Sequence, residues 1–86
     1  MLSRRFGAIQ LKALRSRRHR NFCSVLIAAR KAVGISQQEL AKRLGTSQTV
    51  IARIEIGERR VDVIEFMDLA RVLQIDPREV LSQLMR

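Results

Sequence analysis

Signals that start and stop α-helices recur at short intervals after residue 21, and they limit this part of the chain to short helices. Gly34 and Gly45 each follow a run of apolar residues at helical spacing, the position in which a glycine ends a helix. Ser36 is followed three residues later by Glu39, a spacing that satisfies backbone N–H groups in the first turn of a helix. No window shows the sustained alternation of a β-strand. We therefore expect an all-α fold.

These signals predict five helices joined by tight connections. The predicted helices lie at residues 22–33, between Ser36 and Gly45, at 47–55, at 63–73 and after Asp76-Pro77. Thr46 or Ser47 is the expected cap of the third helix, and the pairs Asp62/Glu65 and Asp76/Glu79 predict two further capping boxes. Aromatic residues make up only 3% of the chain, which favours a helical core of aliphatic residues over a β-sandwich.

Positive charge is concentrated at the N-terminus. Residues 1–21 hold seven basic and no acidic residues, whereas residues 22–86 hold ten basic and eight acidic ones. We divide the chain into a basic arm or extra helix, 1–21, and a folded domain, 22–86. Three roles of the first segment stay open: an arm on nucleic-acid phosphates or in a minor groove, a helix packed on the domain or on a second subunit, and a transit peptide. The formal charge of +9 points to a polyanionic partner.

The sequence excludes several classes of function. His19 and Cys23 are the only histidine and cysteine, too few for a four-ligand zinc site or a disulfide within the chain. No apolar run approaches the 18 residues or so that a membrane span needs. No nucleophile is paired with a base, so we expect neither an enzyme nor a cofactor. We interpret Cys23 as a small buried side chain and His19 as solvated.

The stretch from Gln37 to Ile54 has the spacing of a helix-turn-helix. Two helical runs meet across a turn of three to four residues, in which Gly45 can adopt a positive φ. Ala41 is small where the second helix must cross closely. The polar residues of the second run leave one face free to lie in a nucleic-acid groove. The isoleucines of the same run are expected to pack between the two helices.

This pattern resembles the phage repressor/Cro-like (Xre-type) helix-turn-helix family. The matching positions extend from about Leu26 to Leu84 and include Gly34-Ile35-Ser36-Gln37-Gln38-Glu39-Leu40-Ala41, Leu44-Gly45, Ile54-Glu55 and Leu69-Ala70. The resemblance implies a compact five-helix lambda-repressor-like domain that binds double-stranded DNA, usually as a dimer on a partly palindromic site. Val61 stands where the family often has proline before the fourth helix.

The resemblance also assigns roles to individual residues. The expected base contacts are Gln48, Thr49 and Arg53. The expected phosphate contacts are Gln37, Ser47, Arg59 and Arg60. Arg30 and Glu55 match a pair that forms an ion pair inside the family fold, and we interpret them as structural. Glutamine can form a bidentate pair with adenine, and arginine can form one with guanine. Each such pair contributes about 1–3 kcal/mol of discrimination against the wrong base.

The expected function is a sequence-specific transcription regulator, a repressor in the bacterial or phage-infected cytoplasm, which inserts the helix at about 47–55 into the major groove. Leu81, Leu84 and Met85 on the last helix favour a homodimer formed away from the DNA. One alternative is an antitoxin-type interaction module that neutralises a partner toxin and regulates its own operon. A second alternative is a non-specific binder of nucleic acid or anionic surfaces, driven by the basic N-terminal segment.

Overall fold

The computed structural model describes residues 16–86, and this part of the chain is entirely helices and short connections. The helices are α1 (Arg17–Val33), α2 (Gln37–Leu44), α3 (Gln48–Glu55), α4 (Val63–Leu73) and α5 (Pro77–Leu84). The all-α class with five helices is thus confirmed for these residues. None of the five helices is both long enough and apolar enough to cross a bilayer. The expectations for residues 1–15 lie outside the described residues.

Each helix begins at a capping side chain. Ser16, Ser36, Ser47, Asp62 and Asp76 stand immediately before α1 to α5, and each accepts a hydrogen bond from a backbone N–H of the first turn. Ser47, and not Thr46, caps α3. Because the first turn of a helix lacks intrahelical acceptors, these side chains set where each helix starts.

Two of the three predicted capping boxes are incomplete. At α4, Asp62 and Glu65 bond reciprocally, at 2.8 and 3.0 Å, as predicted. At α2, the carboxylate of Glu39 turns away from the cap and accepts a hydrogen bond from Arg43 at 3.1 Å, because that guanidinium lies one turn further along the same face. At α5, Asp76 accepts from the backbone of Arg78, the second helical residue.

The first helix begins five residues earlier than predicted. Ser16 accepts a hydrogen bond from the backbone N–H of His19 at 3.0 Å, and α1 continues without a break from Arg17 through Phe22. The boundary drawn between residues 21 and 22 therefore falls inside a helix. Arginines disfavour a helix start only weakly, so one good capping serine suffices to extend the helix.

The core forms where α1 and α4 pack against the α2–α3 pair and α5 packs against α1 and α4. Its buried side chains are Leu26, Ala29, Leu40, Ala41, Ile51, Ile54, Phe66, Leu69, Leu73 and Val80. Phe22 of α1 meets Phe66 of α4 edge to face, with ring centroids 5.2 Å apart. This packing gives the short helices the stability that they lack individually.

Part of α4 and α5 remains uncovered. Ile64 and Met67 are 63% and 54% exposed, although they belong to the apolar sequence of α4. They share this exposure with Val63 of the same helix, with Leu81 of α5 and with Met85, which directly follows α5. We call these five residues the α4–α5 apolar surface. Val63 and Leu81 line one groove, and exposed apolar residues that adjoin across two helices are typical of an interaction surface.

Candidate nucleic-acid interface

The α2–α3 pair has a tight turn built around Gly45. This glycine has φ 71°, the left-handed conformation that L side chains rarely adopt. The N–H of Thr46 returns to the carbonyl of Ala41 at 2.9 Å, and Ser47 then caps α3 through the N–H of Val50. Ala41 is 3% exposed, which fits the close crossing expected at this position. The turn fixes the angle at which α3 leaves α2.

One face of α3 is buried and the other is presented to solvent. Ile51 and Ile54 belong to the core, whereas Gln48, Thr49 and Arg53 are exposed. The three residues expected to contact bases therefore lie together on the outer side of a short helix. Gln48 and Thr49 lie in its first turn, next to the partial positive charge of its N-terminus, and Arg53 lies in its last turn.

An ion pair joins the far end of α3 to α1. The guanidinium of Arg30 donates from Nε to Glu55 Oε2 at 2.6 Å and from Nη2 to Oε1 at 3.1 Å. Its Nη1 donates to the carbonyl oxygen of Ile35 at 2.9 Å. The side chains are only 13% and 6% exposed, and the hydrogen bond to Glu55 raises the pKa of Arg30. The bidentate pair ties α1, the α1–α2 connection and α3 together.

A chain of hydrogen bonds leads from this ion pair to the outer surface. Gln37 Nε2 donates to Glu55 Oε1 at 2.9 Å, and Gln48 Nε2 donates to Gln37 Oε1 at 2.7 Å. Because a carboxylate only accepts hydrogen bonds, Glu55 determines which end of the Gln37 amide faces it. The orientation of Gln37 in turn determines that of Gln48. The resemblance assigns Gln37 a phosphate contact, and no local signal in the sequence indicates its hydrogen bond with Gln48.

The connection between α3 and α4 carries the two arginines expected to contact phosphates, and their surroundings differ. Arg59 is held by Glu65, with Nη1 to Oε1 at 3.1 Å and Nη2 to Oε2 at 2.8 Å, and this pairing lowers the pKa of Glu65. Its Nη1 also donates to the carbonyl of Arg60. Arg60 is exposed, and its side chain forms no ion pair within residues 16–86. Val61 packs against the core, so an apolar side chain anchors this connection where the family often has proline.

Cys23 and His19 attach α1 to the end of α3. The buried thiol of Cys23 donates to the carbonyl of Ile54 at 3.3 Å, and burial raises its pKa, so the thiol stays protonated. The His19 ring lies against Phe22 and beside Gly57. It is only partly exposed, whereas the sequence predicts a solvated side chain. Both side chains therefore serve packing between α1 and the segment after α3.

Comparisons with known proteins agree with this geometry. A family model described as helix-turn-helix matches residues 26–80. An XRE-family like protein from Pseudomonas syringae pv. tomato is 47% identical, with a TM-score of 0.74 over 79% of this chain and 83% of that one. The restriction-modification controller protein C.AhdI from Aeromonas hydrophila is 34% identical, with a TM-score of 0.66 over 72% and 90%. A search of curated proteins gave no significant match.

Proposed function

Since the chain belongs to the XRE-type helix-turn-helix family of DNA-binding transcription regulators, we propose that it is a sequence-specific repressor that inserts α3 into the major groove. It represses by occupying its site, in the bacterial or phage-infected cytoplasm. The observation that carries the proposal is the hydrogen-bond chain from the buried ion pair to Gln48. A side chain that contacts a base specifically must be held in one orientation. Gln48 is exposed, yet its amide is oriented by Gln37, which is itself bonded to the buried ion pair.

The chemistry of the outer face of α3 suits base readout. The Gln48 amide uses one Nε2 hydrogen for Gln37, which leaves its second N–H and its Oε1 for the N7 and N6 groups of adenine. Arg53, one turn further along, offers a bidentate donor pair to guanine. Thr49 can bond to either kind of base edge or contact a thymine methyl.

The expected phosphate contacts surround this face. Ser47 and Gln37 stand at the first turns of α3 and α2, where backbone N–H groups and the helix dipoles favour anions. Arg60 extends freely from the connection after α3. Arg59 remains bonded to Glu65, and we propose that it contacts phosphate through its unused Nε and second Nη2 hydrogens while Glu65 keeps the connection in place.

The proposal predicts a change of sequence preference in Gln48→Ala. We expect the variant to fold as the native chain does but to lose about 1–3 kcal/mol of discrimination at one base pair of each half-site. The measurement is in vitro selection of bound duplexes by both proteins, followed by titrations on the selected sequences. Gln83→Ala, which removes an exposed glutamine from α5, is the matched control and should select the native sequence.

Two results would contradict this assignment. If the native chain binds every duplex with equal affinity, it is not a sequence-specific regulator. If Gln48→Ala selects the same sequence as the native chain, α3 reads DNA through other residues or does not read it at all.

We also propose that the protein is a homodimer and that a second copy covers the α4–α5 apolar surface. Residues 61–86 hold five acidic and three basic residues, so this half of the domain is poorly suited to DNA and suited to an interface away from it. A two-fold dimer formed there presents two α3 helices to the two halves of a palindromic site.

Met67→Asp tests the homodimer. Since it places a charge on the apolar surface, we expect a folded monomer in sedimentation equilibrium at micromolar concentration. We also expect weaker binding to a duplex with two half-sites. Ala28→Asp, at an exposed position of α1, should remain dimeric. A monomeric native chain would refute the homodimer and favour the antitoxin alternative, in which a partner toxin covers this surface.

A further inference from the structure

The start of α1 carries a charge arrangement that is unfavourable for the helix itself. Arg17, Arg18 and Arg20 lie in its first turn, which contains no acidic residue. Cations at a helix N-terminus oppose the macrodipole by roughly 0.3–1 kcal/mol each. Arg17 and Arg18 are exposed, and neither guanidinium has an ion-pair partner within residues 16–86.

This basic start of α1, Arg17 and Arg18, lies beside the segment that follows the proposed recognition helix. The Cys23 thiol bonds to the carbonyl of Ile54 in the last turn of α3, and the His19 ring lies within 3.9 Å of the position that a side chain on Gly57 would occupy. A shallow cleft of about 610 Å³ between α1 and this segment is lined by His19 and Arg60, among others. Arg18 lines the adjoining groove, which reaches from Val61 and Asp62 of the connection to Val63 and Leu81 at the edge of the α4–α5 apolar surface. Arg18 and Arg60 therefore line neighbouring clefts, and Arg17 precedes Arg18 in the exposed first turn of α1.

We propose that Arg17 and Arg18 contact DNA backbone phosphates adjacent to those contacted by Arg60, so that α1 extends the footprint beyond the helix-turn-helix. The inference rests on the proposed function. With α3 in the major groove, the α3–α4 connection lies next to the flanking DNA backbone, and the start of α1 lies beside that connection. A phosphate here also neutralises the charge that the helix dipole disfavours, so binding and the stability of α1 reinforce each other.

The proposal makes a quantitative prediction for the variant R17Q/R18Q. Affinity falls as salt rises, and each lost phosphate contact makes the slope of log affinity against log salt concentration less steep by about 0.9. With equal affinity of the variant and the native chain at 1 M salt, this corresponds at 0.1 M salt to about 8-fold weaker binding for one lost contact and about 60-fold for two. The variant should fold at least as well as the native chain, since it removes cations from a positive helix end.

The matched control is R71Q/R78Q. It removes the same charge near the α4–α5 turn, where Arg71 lies about 12 Å along α4 from Val63. Only the exposed ion pair between Arg78 and Asp76 is lost. Full-length proteins are titrated on the selected duplex and on an unrelated duplex, each across a series of salt concentrations. We expect a reduced slope for R17Q/R18Q on both duplexes, with sequence preference retained, and a native slope for the control.

Equal slopes for R17Q/R18Q and the native chain would overturn this inference alone, whatever the sequence preference. Equal reductions in R17Q/R18Q and R71Q/R78Q would also overturn it, because they would reflect net charge and not a local contact. A native chain without sequence preference would refute the proposed function, yet the comparison of slopes on the unrelated duplex would still decide for or against the role of α1.

Discussion

Glu55→Gln is expected to lower the free energy of unfolding by about 3–5 kcal/mol, the largest single effect that we predict. The substitution leaves the guanidinium of Arg30, which is only 13% exposed, without its carboxylate partner. Gln37 also loses an anionic acceptor. Since small domains are stable by only about 5–15 kcal/mol, a large share of the stability is lost. Urea denaturation followed by circular dichroism, at one fixed protein concentration, measures the change.

Glu39→Gln is the matched control for this prediction. It breaks another arginine–glutamate pair, with Arg43, but the two side chains are 44% and 42% exposed and water screens both charges. Exposed pairs four residues apart on a helix contribute about 0.3–0.5 kcal/mol. If the two substitutions destabilise the protein equally, the Arg30–Glu55 pair is not the structural anchor that its burial indicates.

The second large effect is expected at Ile51, where Ile51→Ala should destabilise the domain by about 2–5 kcal/mol. Ile51 is 1% exposed and attaches the inner face of α3 to the core. The substitution removes three carbon atoms and leaves a cavity that its neighbours fill only in part. Because the outer face of α3 is untouched, DNA affinity should fall only to the extent that the folded fraction falls. Thermal unfolding and DNA titration at low temperature separate the two quantities.

A graded series tests the cause of this loss. Ile51→Val removes a single methylene group and should lower stability by about 0.5–1.5 kcal/mol. If Ile51→Val and Ile51→Ala cost the same, or if both bind DNA weakly while fully folded, then packing is not the main contribution of this residue.

Local signals predicted most of the fold because capping depends on nearby residues. The pair Asp62 and Glu65 indicated the start of α4, and the structure has that helix at Val63–Leu73, as predicted. The sequence predicts the start of α1 five residues too late, since Ser16 stands before a run of arginines that carries no apolar periodicity. At Glu39 the prediction of a capping box was wrong because a competing partner, Arg43, lies on the same helix face.

The candidate site was predictable only in outline. The exposed positions of α3 follow from helical spacing, and the resemblance to the family pointed to Arg30 with Glu55. The contact between Gln37 and Gln48 joins residues eleven positions apart on two helices, and the pairing of Arg59 with Glu65 depends on the path of a connection. Such contacts depend on tertiary geometry, which a single sequence does not encode locally.

The hydrogen-bond chain from Arg30 to Gln48 has a consequence for how such a protein acquires a new target. A side chain at position 48 that cannot donate to Gln37 changes the base preference and also leaves the Gln37 oxygen without its partner. Changes at positions 37 and 48 should therefore be non-additive, and a variant altered at both can outperform either single variant. Selection for a new operator acts on this pair as one unit, so new specificities arise most readily through paired substitutions.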